Sequence, residues 1–558
     1  MILILISWIY IIFSTINLGV LLNKVTQLKN TNFVICSLLG LFTTTILASF
    51  WAIFGRINIE FHLFLLVLNG ILFLKLKSEV LVIYKLFFRQ LKSLSRSLKI
   101  ILTIISFLIL AQCAAVPYII DNESYYIQTI KWINNYGFVK GLANLHLSLA
   151  QTSGWHITQS AYNFSFIYKN FNDLSGFCLL LGNIFAISHL NSFFKTKEKN
   201  ALIIGLLPLS NVFLFPFISS PSTDLPVYIL SFIIFYLFIK DYNNISIETF
   251  NLIAIFVFFI VYIKVTFIAI TLILLFLFFK HRTLKITTSI IIGSLVVLLF
   301  LTKNTLISGY PLFPITTNPF SFDFQIPESI AHFYYDENRR DSFAITKIQF
   351  EQMSPFGIFK IWLCRPFLDG IINKLIIVLI IIMPFFIKLF FNKKYFWSLY
   401  TVFLFHVTLL LLSSPQYRFF MNFVLLFLLM IISLILNNEK KIITTLYLSV
   451  LIVAITLFIP INLSVLTKNT NLTNNSIFNI DEIFHPHKNS KFDIKYKTIK
   501  NGNLEFNSPV NNSFFWETGD GRIPCVSQNQ IEYFEKYYKI APQMRTINLK
   551  DGFYAKSL

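Results

Sequence analysis

The chain has 558 residues, 56% of them hydrophobic and only 13% charged, with a mean hydropathy of +0.69. A soluble core cannot hide that much apolar surface, whereas a bilayer accepts runs of about 20 apolar residues as spanning helices. The formal charge of +20 would suggest nucleic acid in a soluble protein. Here the cations sit in short loops between apolar runs, where they report topology, so nucleic acid is not an expected partner. The five cysteines are scattered without CxxC or His/Cys clusters, which argues against a disulfide framework or a zinc site. The 64 phenylalanines, with frequent Lys and Asn outside the apolar runs, are habits of an AT-rich bacterial genome.

In chain order, residues 2–22, 33–54 and 58–76 are the first three spans. The first lacks the basic flank and small-residue cleavage site of a signal peptide and is read as a helix. Residues 77–98 carry Lys77, Lys85, Arg89, Lys92 and Arg96, the densest basic loop, which the positive-inside rule places in the cytoplasm. Residues 1–98 thus form an N-terminal three-helix segment. The span 99–117 then delivers Asp121 to the opposite face, the outer face of a bacterial inner membrane. The loop that follows, 118–172, opens with DNESYY, and an amphipathic helix follows over 121–136. Tyr125, Ile130, Ile133 and Tyr136 lie on or near one face of that helix, and Gly137 ends it.

Spans at 173–190, 201–218 and 225–240 alternate between the loop containing Lys195, Lys197 and Lys199 and the short loop SSPSTD. The apolar run 250–279 has Lys264 in its middle. Two short helices meeting there keep Lys280, His281 and Arg282 inside and put Lys264 at the outer surface. A span at 283–302 leads to a long outer loop, 303–355, whose aromatic and Pro content suits an ordered lid. A shorter amphipathic piece, 356–370, follows it. The spans 373–392, 396–413, 417–437 and 441–460 complete a membrane core, 99–460. A polar tail, 461–558, mixes turns with a helix at Gln528–Tyr538 and reads as a small extracytoplasmic α/β module. The expected fold is an all-α polytopic membrane protein of about 13 spanning helices with both termini outside.

On that outer face collect Asp121 and Glu123, with His146 and His156 in the same loop, then Asp224, Lys264, Lys303, Asn304, Arg339, Arg340, Arg365 and Arg418. Guanidinium and ammonium groups beside an apolar bundle suit a lipid-linked phosphate, and carboxylates next to them can take a proton from a hydroxyl. Each residue also has a plainer role. Asp121 and Asp224 fit helix caps, and Lys264 fits a snorkelling anchor. Arg418 fits a helix-end anchor. His146 and His156 fit hydrogen-bonded loop residues, since no metal-ligand spacing connects them. Tyr125, Tyr126, Trp132 and Trp155 fit an interfacial aromatic belt.

DNESYY ahead of a helix resembles the first outer-loop motif of the GT-C glycosyltransferases. These membrane enzymes use polyprenyl- or dolichyl-phosphate-linked sugars. STDLPVY looks like that superfamily's second Asp at the start of a later helix, and SSPQYRFF like its late Arg-Tyr/Arg-Phe motif. The acids here are separated by Asn122, a departure that bears on Glu123. The stretches IKWINNYGFVKGLANLH, TKNTLISGYPLFP and WETGDGRIPC…DGF are similar to a group of large multispanning bacterial proteins, loosely GT-C-like. This second likeness supports the architecture more than the chemistry.

The resemblance implies an inverting transferase. Asp121 would be the base, with Glu123 or Asp224 orienting acceptor or sugar. Arg418, with Lys264 or Lys303, would sit at the departing phosphate, and Tyr126, His156 and Asn304 would line the substrate. The partners would be a polyprenyl-phosphate-linked sugar, a glycan, lipid or protein acceptor, and membrane lipids. No cofactor is assigned, and a divalent cation stays open. A polysaccharide polymerase and a lipid-linked glycan flippase are the alternatives. A flippase would place charges inside the spans, which here are nearly charge-free.

Overall fold

The computed structural model describes residues 1–168, 173–317, 320–467, 473–511 and 517–558. Residues 169–172 at the end of the first outer loop lie outside the described residues, as does Trp516 at the head of WETGDGRIPC. The protein is a mostly helical polytopic membrane protein with a small C-terminal β module. In a bilayer every backbone polar group must be satisfied within the chain, which makes each long apolar run a helix. Polar residues at the boundaries start those helices. Asn32 accepts from the Val34 and Ile35 amides, Ser95 from Leu98, and Ser246 from Thr249.

Among the described residues ten helices, from Ile2–Val25 to Glu439–Phe458, are long and apolar enough to cross a membrane. There are eleven if Ile59–Lys75 and Lys77–Lys92, which meet at 88°, form one broken span. This falls short of the thirteen expected, for three local reasons. Ile59–Lys75 has 17 residues and stops at that bend. Asp224–Asp241 is apolar only between Asp224 at one end and Lys240-Asp241 at the other. The run 250–279 is indeed two short helices, Ile247–Ile263 and Val265–Lys280, separated at Lys264, whose backbone is extended.

The basic stretch 77–98, expected as a loop, is largely the helix Lys77–Lys92. Val80 and Ile83, three apart, are buried, and Phe87 stacks on Phe33 at 4.0 Å. Lys77, Lys85, Arg89 and Lys92 stay exposed on its outer side. This end of the bundle gathers the basic residues. Lys24 pairs with Glu79 at 2.5 Å, Lys29 lies 3.7 Å from Glu248, and Lys280 donates to the Tyr242 carbonyl at 2.8 Å.

The opposite end carries the long loops and the tail. Residues 122–126 form one π-helical turn, followed by the helix Ile127–Tyr136. That helix ends at Gly137, whose φ is 75° and whose missing side chain leaves room for the Gly55 and Ala52 carbonyls. Lys303 and Asn304, expected at the start of an outer loop, lie instead in the last turns of Thr287–Ser308. The loop beyond carries the helices Glu328–Phe343 and Lys347–Gln352; residues 318–319 lie outside the described residues.

In the tail, the helix Gln528–Tyr538 lies where the sequence placed it, between two antiparallel hairpins. One pairs Tyr496–Asn501 with Leu504–Pro509, and the other Ile540–Met544 with Phe553–Ser557. The tail is sewn onto the first outer loop. Gln128 donates to the carbonyls of Thr518, Gly519 and Gly521, and Thr518 donates to the Ser124 carbonyl at 2.7 Å. Farther on, the Phe553 amide donates to the Lys140 carbonyl at 2.9 Å, and Arg545 pairs with Asp323 at 2.7 Å. The Met1 amine donates to the Glu482 carbonyl at 2.5 Å, so the first helix also ends under the tail.

Candidate functional site

Asp121 begins the π-helical turn, and its side chain makes no cap hydrogen bond. Its Oδ2 accepts from Arg418 Nη1 at 2.6 Å and from the Tyr126 hydroxyl at 3.4 Å. Arg418 stands 297 residues away, in a 3-10 turn before the helix Met421–Ile435. Two neighbours fix it: Gln416 accepts from its Nε at 2.9 Å, and the Tyr228 hydroxyl donates to its carbonyl at 2.5 Å.

Asp224 is fully buried at the first turn of Asp224–Asp241 and likewise caps nothing with its side chain. Its backbone N–H donates to Ser222 Oγ at 3.3 Å, while Oδ1 accepts from the Lys264 ammonium. Among the described residues its Oδ2 has no hydrogen bond, and it faces Arg418 Nη1 at 3.7 Å. Lys264 reaches this position because the chain breaks there between two short helices. Its ammonium also lies over the Phe419 ring at 4.0 Å.

Four side chains from four separate elements thus form one network of alternating sign: Asp121, Arg418, Asp224 and Lys264. Burial by itself would raise the Asp121 carboxyl, but Arg418 beside it, with Lys264 behind, holds it below its ordinary value of 3.8. Asp121 is therefore a carboxylate at neutral pH. Among the described residues, Asp121 Oδ1 and Arg418 Nη2 make no hydrogen bond. A lone pair and a guanidinium edge are left side by side for something from outside the chain.

His156 packs its ring 4.8 Å from Tyr126. Its Nδ1 accepts from the Ser153 amide in a capping box, and its Nε2 is buried without a hydrogen bond. Burial first, and then Lys303 and Lys264, push this imidazole down to about 3, so it is neutral. Lys303 is 3% exposed and donates to the Thr152 carbonyl. Asn304 closes the turn after its helix by donating to the Pro311 carbonyl at 3.1 Å.

Glu123 lies two residues from Asp121 but turns away from the network. Its carboxylate accepts from Ser490 Oγ at 2.6 Å, from the Lys491 amide at 2.8 Å and from Asn122 at 3.3 Å. It anchors the tail. Burial outweighs those bonds and raises its carboxyl above 4.5. The other basic candidates also find partners elsewhere. Arg365 pairs with Asp369 at 2.9 Å, Arg340 with Glu337 at 2.5 Å, and Arg339 lies 5.1 Å from the Phe350 ring centre.

Two residues that support the network were not among the sequence candidates. Tyr228 stands four residues after Asp224, on the same helical face, and Gln416 two residues before Arg418. The i, i+4 spacing would have singled out Tyr228. Among the described residues no three His, Cys, Asp or Glu side chains gather as a metal site requires, and both network aspartates are taken up by cations.

Comparison with curated proteins and with solved structures finds no match. One family's sequence model does match, over residues 1–425, a stretch that contains Asp121, Asp224, Lys264, Lys303 and Arg418. The chain belongs to that family, a domain of unknown function (DUF8201).

Proposed function

We propose that the protein is an inverting glycosyltransferase of the GT-C type. It would move a sugar from a polyprenyl-phosphate-linked donor to a glycan, lipid or protein acceptor at the outer face of a bacterial inner membrane. The observation that carries this reading is the Asp121–Arg418 pair at 2.6 Å, with Asp121 Oδ1 and Arg418 Nη2 both unused among the described residues. In the proposed step, Asp121 Oδ1 takes the proton of an acceptor hydroxyl. The acceptor oxygen bonds to the anomeric carbon on the face opposite the phosphate. The bond from that carbon to the phosphate oxygen breaks, and its electron pair stays on the lipid phosphate, beside Arg418 Nη2. Such a leaving group needs charge placed at its oxygens more than a proton, which a fixed guanidinium supplies. Asp224 and Lys264 hold Arg418 and the base in register.

An apolar groove of about 680 Å³ suits the lipid-linked part of this reading. It lies between Ile247–Ile263, Leu272–Lys280 and Thr287–Ser308, with Phe258, Leu274, Val297 and Leu301 among its walls. The first of these helices ends at Lys264 and the last carries Lys303. The topology proposed with this reading has fourteen membrane passages, the ten long helices and four shorter ones, which leaves both termini on the same face. The short helices 59–75, 224–241, 247–263 and 265–280 cross inside the bundle, and the basic end faces the cytoplasm.

The test is release of lipid phosphate by the purified chain in nanodiscs from a series of polyprenyl-monophosphate sugars. Wild type is expected to release it, and Asp121→Asn is expected not to. Cleavage of diphosphate-linked glycans alone would move the reading to a polymerase.

A further inference from the structure

Lys303 differs from the other buried cations of the site. Arg418 and Lys264 are matched by Asp121 and Asp224, two charges against two, whereas no Asp or Glu lies within ion-pair distance of Lys303 among the described residues. The ammonium is 3% exposed, and its hydrogen bond goes to a single backbone carbonyl, that of Thr152. An ammonium has three N–H donors, and a buried charge with one neutral acceptor destabilises the fold.

Beside it is a second incomplete donor. The Ser153 amide donates to His156 Nδ1, which makes Nδ1 the acceptor and leaves the proton of the neutral ring on Nε2. That N–H is fully buried and, among the described residues, has no hydrogen-bond partner. Both side chains are anchored on the same peptide unit, Lys303 on its carbonyl and His156 on its N–H. Two unsatisfied donors, one of them charged, are held on one peptide unit, with the His156 ring 4.8 Å from Tyr126, and lack an acceptor with negative charge.

We propose that Lys303 and His156 form an oxyanion subsite, separate from the Asp121–Arg418 pair, that binds a phosphate or carboxylate group of the substrate. Bound there, the anion would give Lys303 its missing counter-charge and His156 Nε2–H its missing acceptor. The inference does not depend on glycosyl transfer, because it concerns binding alone. A lipid phosphate and the carboxylate of an acidic sugar share this chemistry.

The experiment is thermal unfolding of the full chain in detergent with and without decyl phosphate, inorganic phosphate or glucuronate. Wild type should gain stability with at least one of them. A response to the two phosphates points to the lipid carrier, and a response to glucuronate to the sugar. Lys303→Met should raise the melting temperature of the free protein, since it removes an uncompensated buried charge, and should abolish the response to the anion. Lys303→Arg should restore that response. His156→Phe should weaken binding about 10-fold or more, as expected for a lost hydrogen bond to a charged group. A merely structural Lys303 predicts the reverse: a lower melting temperature for Lys303→Met with an unchanged shift. That result, or a wild type that responds to none of the three probes, would overturn the subsite.

Discussion

At the scale of single residues, the site rests on which carboxylate each cation serves. Asp121 and Asp224 stand 103 residues apart, yet the one guanidinium of Arg418 lies between them. If Asp121 is the base, Asp121→Asn preserves its shape and removes its proton affinity. Turnover should then fall by about 10²–10⁴-fold with the melting temperature little changed. The acid side of the pH profile follows from the depressed carboxyl. Its contribution to stability and to the reactive form is complete above 3.8 and is lost as pH falls through its lower folded value. The rate of lipid-phosphate release should therefore be flat from neutral pH down to about 4 on Asp121's account, and a limb near pH 6 would assign the base to another group. Asp224→Asn should behave differently. It strands the Lys264 ammonium without a counter-charge and should cost about 3–5 kcal/mol, much of it recovered in the double variant Asp224→Asn/Lys264→Met. Thermal unfolding of the three variants checks this.

At the scale of elements, the π-helical turn at 122–126 links site and tail. It presents Asp121 to Arg418 on one side and Glu123 to Ser490 and Lys491 on the other. Removing the carboxylate by Glu123→Ala leaves a hydroxyl and an amide without their acceptor, a loss of about 1–3 kcal/mol. The tail should then exchange its amide hydrogens faster around 490–492 and 518–521, while Glu123→Gln, which keeps one acceptor, should largely retain protection. Burial raises this carboxyl, so its contribution to docking is complete below 4.5 and is lost as pH rises through its folded value. Protection of the wild-type tail, corrected for intrinsic exchange, should be greater at pH 5 than at pH 8, and Glu123→Gln should show no such difference.

At the scale of the whole molecule, the chain is polarised. Basic residues collect at one end of the bundle. At the other, the first outer loop, the loop after Ser308 and the tail pack into one cap over the charge network. The proposed sidedness follows from the excess of Lys and Arg at the first end. Cys364 is exposed at the capped end, between Pro355–Leu363 and Phe367–Phe386. In intact cells it should react with an impermeant maleimide, whereas a cysteine at Lys85 in a Cys364→Ser background should react only after permeabilisation. The opposite pattern would invert the topology and remove the outer-face acceptor from the proposed function.

Much of the architecture was legible because its causes are local. A long apolar run has to satisfy its own backbone in lipid, so it becomes a helix wherever it occurs. A lysine in the middle of such a run breaks it at Lys264, and a glycine ends the helix at Gly137. The amphipathic pattern of 528–538 marks a helix in a module that the flanking residues describe poorly. The same local pattern marks 77–98 as a loop, because its five basic residues outweigh the spacing of Val80 and Ile83, whose burial depends on the helices they pack against. Residue types alone gathered the candidates for the site. Which of them touch was decided by the tertiary structure, since ion pairing depends on which helix ends become neighbours. Asp121 and Glu123, two residues apart in one turn, are sent to opposite partners, Arg418 and the tail. Lys264 meets Asp224 while Lys303, among the described residues, meets no carboxylate, although both lie near the ends of apolar helices. Apolar burial is dictated residue by residue, whereas the partner of a buried charge is dictated by how separate helices pack.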